Sequence, residues 1–181
     1  MTIRSYLGVT PAMHPSAYID ETALVIGRVT IGSHVSVWPM TVIRGDDQSI
    51  TIGDNTNIQD GTVIHITHDH VRAPGGLATV IGANVTVGHR VVLHACTVGD
   101  YCLIGMSTTI MDGAVIGEKV VIAAGSLVTP GKQLEGGYLY AGSPVRRIRP
   151  LSEEEMAFLG YSAQHYVQLK DKHQQSNQRT G

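Results

Sequence analysis

Aromatic residues are scarce in this chain: 5% of 181 residues, with a single Trp and a single Phe. Charge is also thin, at 15% where globular domains usually carry roughly a quarter. A net charge of −2 and a pI near 6.5 give no basis for binding nucleic acid or an anionic membrane. No apolar run approaches the roughly 18 residues that a membrane-spanning helix needs. The segment Met1 to Pro11 carries one Arg and no apolar stretch, so no secretory signal is expected. Two cysteines, Cys96 and Cys102, are too few for a disulfide framework and read as reduced thiols of a soluble cytoplasmic protein. What is plentiful is aliphatic and small: 43% hydrophobic residues and 21 glycines. That balance suits one domain with a repetitive scaffold filled by Ile and Val, and it excludes a disordered chain.

The aliphatic residues recur at intervals of six. Ile19, Val25, Ile31, Val37 and Ile43 form one run, Ile52, Ile58 and Ile64 a second, and Ile81, Val87 and Leu93 a third. After one five-residue step the series continues through Val98, Ile104, Ile110, Ile116, Ile122 and Val128. Glycine often follows the aliphatic residue, as at Gly53, Gly82, Gly88 and Gly105. The fifth position of each hexad is small or β-branched, as at Thr41, Thr62 and Val91. A period of six fits neither a helix of about 3.6 residues per turn nor a plain alternating strand. It fits a parallel β-helix in which short strands alternate with tight turns and each coil buries its aliphatic column against the next. Over roughly residues 15–145 the pattern resembles the hexapeptide-repeat superfamily. That resemblance implies an all-β solenoid, a left-handed parallel β-helix with three hexads per coil, assembled as a trimer.

Two interruptions mark the solenoid. The step from Ile43 to Ile52 leaves room for a short insertion at 45–49, and that from Ile64 to Ile81 for a loop at 67–77, THDHVRAPGGL. Insertions in solenoids tend to sit on the functional face. Beyond Pro150, Ser152 followed by Glu155 is a capping box that opens a helix. Met156, Leu159, Ala163, Tyr166 and Lys170 then recur at helical spacing, giving one face to lie along the solenoid. The expected organisation is a solenoid domain over 1–150, a packed helix over 151–174 and a frayed polar tail over 175–181.

Counting hexads places chemistry on this frame. Those led by Ile43, Ile64 and Leu93 are three apart, so with three hexads per coil they stack on one side. The next residues, Arg44, His65 and His94, then form a column with neighbours about 4.8 Å apart. Two imidazoles so stacked can converge on one ion. His89, two positions after Val87, belongs to the preceding side and points away from that column within one chain. In a three-fold trimer a neighbouring subunit would bring it there, coupling metal and oligomer. Three His with an open fourth position is the pattern of catalytic rather than structural zinc. The other six histidines (14, 34, 68, 70, 165, 173) show no such register.

The segments VIRGDD (42–47), NIQDG (57–61), VIH (63–65) and VTVGHRVVLH (85–94) resemble those of the γ-class carbonic anhydrase-like family. The C-terminal helix is similar to that of its short bacterial YrdA-type branch. The resemblance implies reversible CO2 hydration by a metal-bound hydroxide and a homotrimer with metal sites at its subunit interfaces. It implies Zn2+ as the cofactor, although three imidazoles also accept Co2+ or Fe2+. By the same resemblance His65, His89 and His94 are the ligands. Arg44 and Asp46 match a buried pair crossing the subunit interface. Gln59 matches the residue that orients the metal-bound water, and Asn57 matches a polar neighbour. Tyr140, in YAGSP, lies where related sequences place a Tyr or Asn at the mouth of the site. Each ligand ring needs a partner on its outer nitrogen, for which Asp46 and Asp60 are candidates.

One departure bears on turnover. Fully active members carry a long acidic loop with a glutamate proton shuttle, whereas this loop is short and holds His68, Asp69 and His70. Imidazole has the unperturbed pKa for such work, so His68 is the candidate shuttle and Asp47 a further one. Weak or conditional hydration is expected. The competing readings are a CoA-dependent acyltransferase, an acyl-CoA thioesterase using the same metal, and a non-catalytic trimeric metal-binding module. Against the acyltransferase, the stacked histidines and Arg44 crowd the place of its general base.

Overall fold

The computed structural model describes residues 2–178. It is a parallel β-solenoid closed by one C-terminal helix. From Asn57–Ile58 onward each short strand pairs in parallel with the one three further along the chain, so three hexads make one coil. The strands Leu24–Ile31 and Val42–Ile52 bend around a corner and each serve two faces. The third face stacks Tyr18–Ile19, Ser36–Val37, Asn57–Ile58, Thr86–Val87, Leu103–Ile104, Val121–Ile122 and Tyr138–Ala141. There Arg146–Pro150 turns back antiparallel and ends the stack.

The six-residue aliphatic columns fill the interior. Val25, Val37, Ile43, Ile58, Ile64, Val87, Leu93, Ile104 and Ile110 are all fully buried. The fifth position of the hexad lies under the corner, where only a small or β-branched side chain fits. Where it is Thr, the hydroxyl reaches a carbonyl on the next coil: Thr41 Oγ1 donates to Gln59 O and Thr62 Oγ1 to Gly88 O, each at 3.1 Å. Among the described residues no buried side-chain polar atom lacks a partner. Cys96 and Cys102 are free and buried, and burial pushes both thiols up to about 12.

The repeat continues beyond Val128. Leu134 and Tyr140 take the next two places at the same interval of six and are buried in the column. The insertion at 45–49 is a bulge: Gly27 pairs with Gly45 but Val29 with Ile50, so the longer strand loops out between them. Backbones touch at this corner, since a Cβ on Gly27 would lie 2.3 Å from the Gly45 carbonyl oxygen. The loop at 67–77 leaves the solenoid as a hairpin-like excursion, with Thr67 opposite Leu77 and His70 opposite Ala73.

The helix spans Glu153–Gln178. Its capping box is reciprocal: Ser152 N donates to Glu155 Oε2 at 2.9 Å and Glu155 N to Ser152 Oγ at 3.2 Å. Arg149 adds a two-pronged pair with Glu155 at 2.7 Å. The expected face does pack, with Leu159, Ala163 and Lys170 buried, and Ser162 and Val167 join it. It runs back across the third face, Ser162 against Thr86, then Tyr166 and His173 against Trp38. The polar stretch from Gln174 to Gln178 is helical rather than frayed. It lacks Gly and Pro and is rich in residues of fair helix propensity. The rest of the expected tail, 179–181, lies outside the described residues.

Ser152→Ala should lower thermal stability by about 1 kcal/mol, the usual value of an N-cap, as read by denaturant melts. The Arg149 pair and the Ser152 amide hold Glu155 down to about 2. A depressed carboxyl gives stability that is present above its ordinary 4.5 and is lost as pH falls toward 2. Acid titration over that window, followed by helical circular dichroism, should therefore loosen the helix in wild type more than in Glu155→Gln.

Candidate metal centre

His65 ends the strand Val63–His65 and His94 ends Val92–His94, and the ladder pairs them directly. Their rings stand 5.2 Å apart, with His65 Nδ1 3.2 Å from His94 Nε2. The outer nitrogens are both taken by carboxylates. His65 Nε2 donates to Asp46 Oδ1 at 3.1 Å and His94 Nδ1 to Asp112 Oδ1 at 2.7 Å. With each ring proton on a carboxylate, the two nitrogens that face each other are both lone pairs. Such a pair repels unless a proton or a metal ion lies between them. Two nitrogens each about 2.0–2.1 Å from a tetrahedral ion stand roughly 3.3 Å apart. The observed separation fits that edge.

The electrostatics favour this state. Burial pushes the His65 imidazole below its ordinary value, the Arg44 charge adds to that, and the hydrogen bond to Asp46 opposes it. Burial would raise Asp46, but hydrogen bonds from the Asp47 amide, His65 and Arg44 outweigh it and hold the carboxyl below its usual range. Asp112 behaves alike: burial raises it, while hydrogen bonds from Thr67 and His94 prevail and lower it. Rings backed on one nitrogen by aspartates are the carboxylate–histidine arrangement that metal ligands use.

His89 has the same backing and a different place. Its Nδ1 donates to Asp60 Oδ2 at 2.9 Å, leaving Nε2 as the lone pair. It sits at the edge of the third face, side chain 44% exposed. Within one chain no set of three metal-binding side chains forms among the described residues. The His65–His94 pair and His89 stand apart within one chain.

Gln59 and Asn57 belong with His89. Gln59 Nε2 donates to Asn57 Oδ1 at 3.1 Å, and Asn57 Nδ2 to Thr86 Oγ1 at 3.0 Å. The Thr86 and Ser162 hydroxyls share a further hydrogen bond at 3.0 Å, which ties the string to the helix. Gln59 and His89 line one groove of about 540 Å³, walled by Met106, Phe158 and Tyr166.

Three further expected residues take the following places. Arg44 donates to Asp46 within the chain and is half-exposed; the bulge after Gly45 brings the aspartate back alongside it. Tyr140 is a core residue, 5% exposed, whose hydroxyl donates to the Glu135 carbonyl. It lies four strands along the third face from Asn57–Ile58, roughly 19 Å at the strand spacing. His68 lies exposed on the loop with its ring against His70, 5.1 Å away. Asp112, Thr67 and Ser162 were not singled out from sequence. The Ile110 hexad comes next in the Ile43–Ile64–Leu93 column, but its column position is Met111, one residue short of Asp112.

The comparisons with known proteins follow this geometry. A model of the bacterial transferase hexapeptide (six repeats) matches residues 95–130. Protein YrdA of Escherichia coli K12 is 49% identical over 177 residues, spanning 97% of this chain and 96% of its own. The chain belongs to the YrdA-type, γ-class carbonic anhydrase-like family of hexapeptide-repeat proteins. Gamma carbonic anhydrase 2, mitochondrial, of Arabidopsis thaliana is 36% identical over 99% of this chain, which spans 64% of that longer protein. The solved structure of a hexapeptide transferase family protein from Anaplasma phagocytophilum is 42% identical, with a TM-score of 0.87 over 94% of this chain and 97% of its own. Among the described residues no helix is long and apolar enough to cross a membrane.

Asn57→Ala should strand the buried Gln59 amide nitrogen and take one of its two partners from the Thr86 hydroxyl. A loss of about 1–3 kcal/mol in denaturant melts is expected, the usual penalty for unpaired buried polar groups.

Proposed function

We propose that the chain is a metal-dependent γ-class carbonic anhydrase-like enzyme, a homotrimer in which His65 and His94 of one subunit meet His89 of the next. The observation that carries this reading is the pair of facing imidazole nitrogens 3.2 Å apart, together with a third carboxylate-backed histidine that one chain leaves separate. Zn2+, or Co2+ or Fe2+, would supply a Lewis acid with an open position that makes hydroxide available near neutral pH for attack on CO2.

The chain's own residues do the rest. Asp46, Asp60 and Asp112 hold the three ring protons outward and so fix which nitrogens face inward. Gln59, itself held by Asn57, presents its amide beside His89 to orient the small substrate. Arg44 keeps positive charge beside the His65 half-site, where bicarbonate departs. His68, exposed on the adjacent loop, passes the released proton to solvent. Tyr140 has no part in this scheme.

Elemental analysis and light scattering on protein purified without chelator test the reading. Wild type should be a trimer carrying about one metal per chain, the stoichiometry of three interface sites, while His89→Ala loses most of its metal and melts earlier. Full metal content in His89→Ala would sink the shared site. Stopped-flow CO2 hydration on Zn2+- and Co2+-loaded protein, run beside a panel of acyl-CoAs, tests the substrate. Acyl transfer that persists in EDTA would replace the carbonic anhydrase reading with an acyltransferase.

A further inference from the structure

The two aspartates behind the stacked histidines are each held on both oxygens, by groups of different kinds. Asp46 takes His65 on Oδ1 and the exposed Arg44 on Oδ2. Asp112 takes His94 on Oδ1 and Thr67 Oγ1 on Oδ2. Thr67 is buried, at 6% exposure, and begins the 67–77 loop. Its amide donates to Leu77 O at 3.0 Å and its carbonyl accepts from Leu77 N at 2.8 Å, which closes the loop at its base. Just past the loop, Thr79 Oγ1 donates to the His65 carbonyl. Both ends of the loop are therefore fastened to the histidine column.

A hydroxyl has one proton to give. His94 Nδ1 commits its own proton to Asp112, so Thr67, 3.5 Å from that nitrogen, gives its proton to the carboxylate. Without that bond the carboxylate is free to turn about its terminal torsion, a soft one for Asp. The His94 ring would then lose the fixed acceptor that aims Nε2 at His65.

We propose that Thr67 is a positioning residue for His94, acting through Asp112, so that the base of the 67–77 loop sets the metal affinity of the site. The proposal rests on the metal-binding reading given above. Chelator competition for Zn2+ on the full-length assembly, with the visible spectrum of the Co2+ form, tests it in Thr67→Val, Thr67→Ser, Asp112→Ala and the double variant Thr67→Val/Asp112→Ala. Thr67→Val keeps the shape and removes the donor, so Zn2+ should bind roughly 10-fold more weakly, at the low end of the usual effect of an outer partner, and the Co2+ spectrum should shift. Thr67→Ser restores the hydroxyl and should restore both. Asp112→Ala should weaken binding at least as much, and adding Thr67→Val to it should weaken it no further. Unchanged affinity in Thr67→Val, or fully additive losses in the double variant, overturns the relay. Should Thr67→Val fail to fold, Asp112→Asn takes its place, and unchanged affinity there is equally fatal. Wild type that binds no metal overturns the underlying reading as well, which separates the two failures.

Discussion

Backbone hydrogen bonds between successive coils, such as Val63 N to Val91 O at 2.9 Å and Val92 N to Thr108 O at 2.9 Å, hold the register on which the rest of the structure depends. Because the ladder is parallel and in register, a residue in one hexad lies one strand spacing from its equivalent a coil away. His65 meets His94 for that reason, though 29 positions separate them. The same ladder sets Asp60 beside His89, and Asn57 beside Thr86. A slip of one residue would turn every such side chain to the opposite face and bury the histidines in place of the aliphatic column.

That register also explains how a surface so modest in charge concentrates its ionisable groups. Three histidine–aspartate pairs gather at the corners of neighbouring coils, and each aspartate comes from a neighbouring strand or from the bulge. The arrangement gives each ring a carboxylate on one of its nitrogens. The helix contributes from the other side: by crossing the third face it walls the groove beside His89 and anchors the Gln59 string through Ser162.

Much of this was legible in the sequence, and the exceptions are instructive. The interval of six gave the coil, the column and the separation of His89. Applied two hexads further, it would also have placed Tyr140 in the core, where Val128, Leu134 and Tyr140 continue the count. The same arithmetic reaches Met111, one residue short of Asp112. Arg44 and Asp46 were legible as a pair, but the way they meet within the chain was not. Their meeting depends on a bulge, and a bulge changes the residue count between strands without leaving a periodic trace. Thr67 had no signal, since loop residues obey no period and its partner lies 45 positions away.

The sequence by itself determined the solenoid, the stacking of His65 on His94 and the capping box that starts the helix, because each follows from a local pattern repeated or closed within a few residues. Only the tertiary structure decided which nitrogen of each imidazole meets a carboxylate. That choice depends on aspartates delivered from other coils, at distances of 2.7 to 3.1 Å that no spacing rule specifies. The parallel ladder brings the rings together, and the carboxylates determine what two adjacent rings can hold.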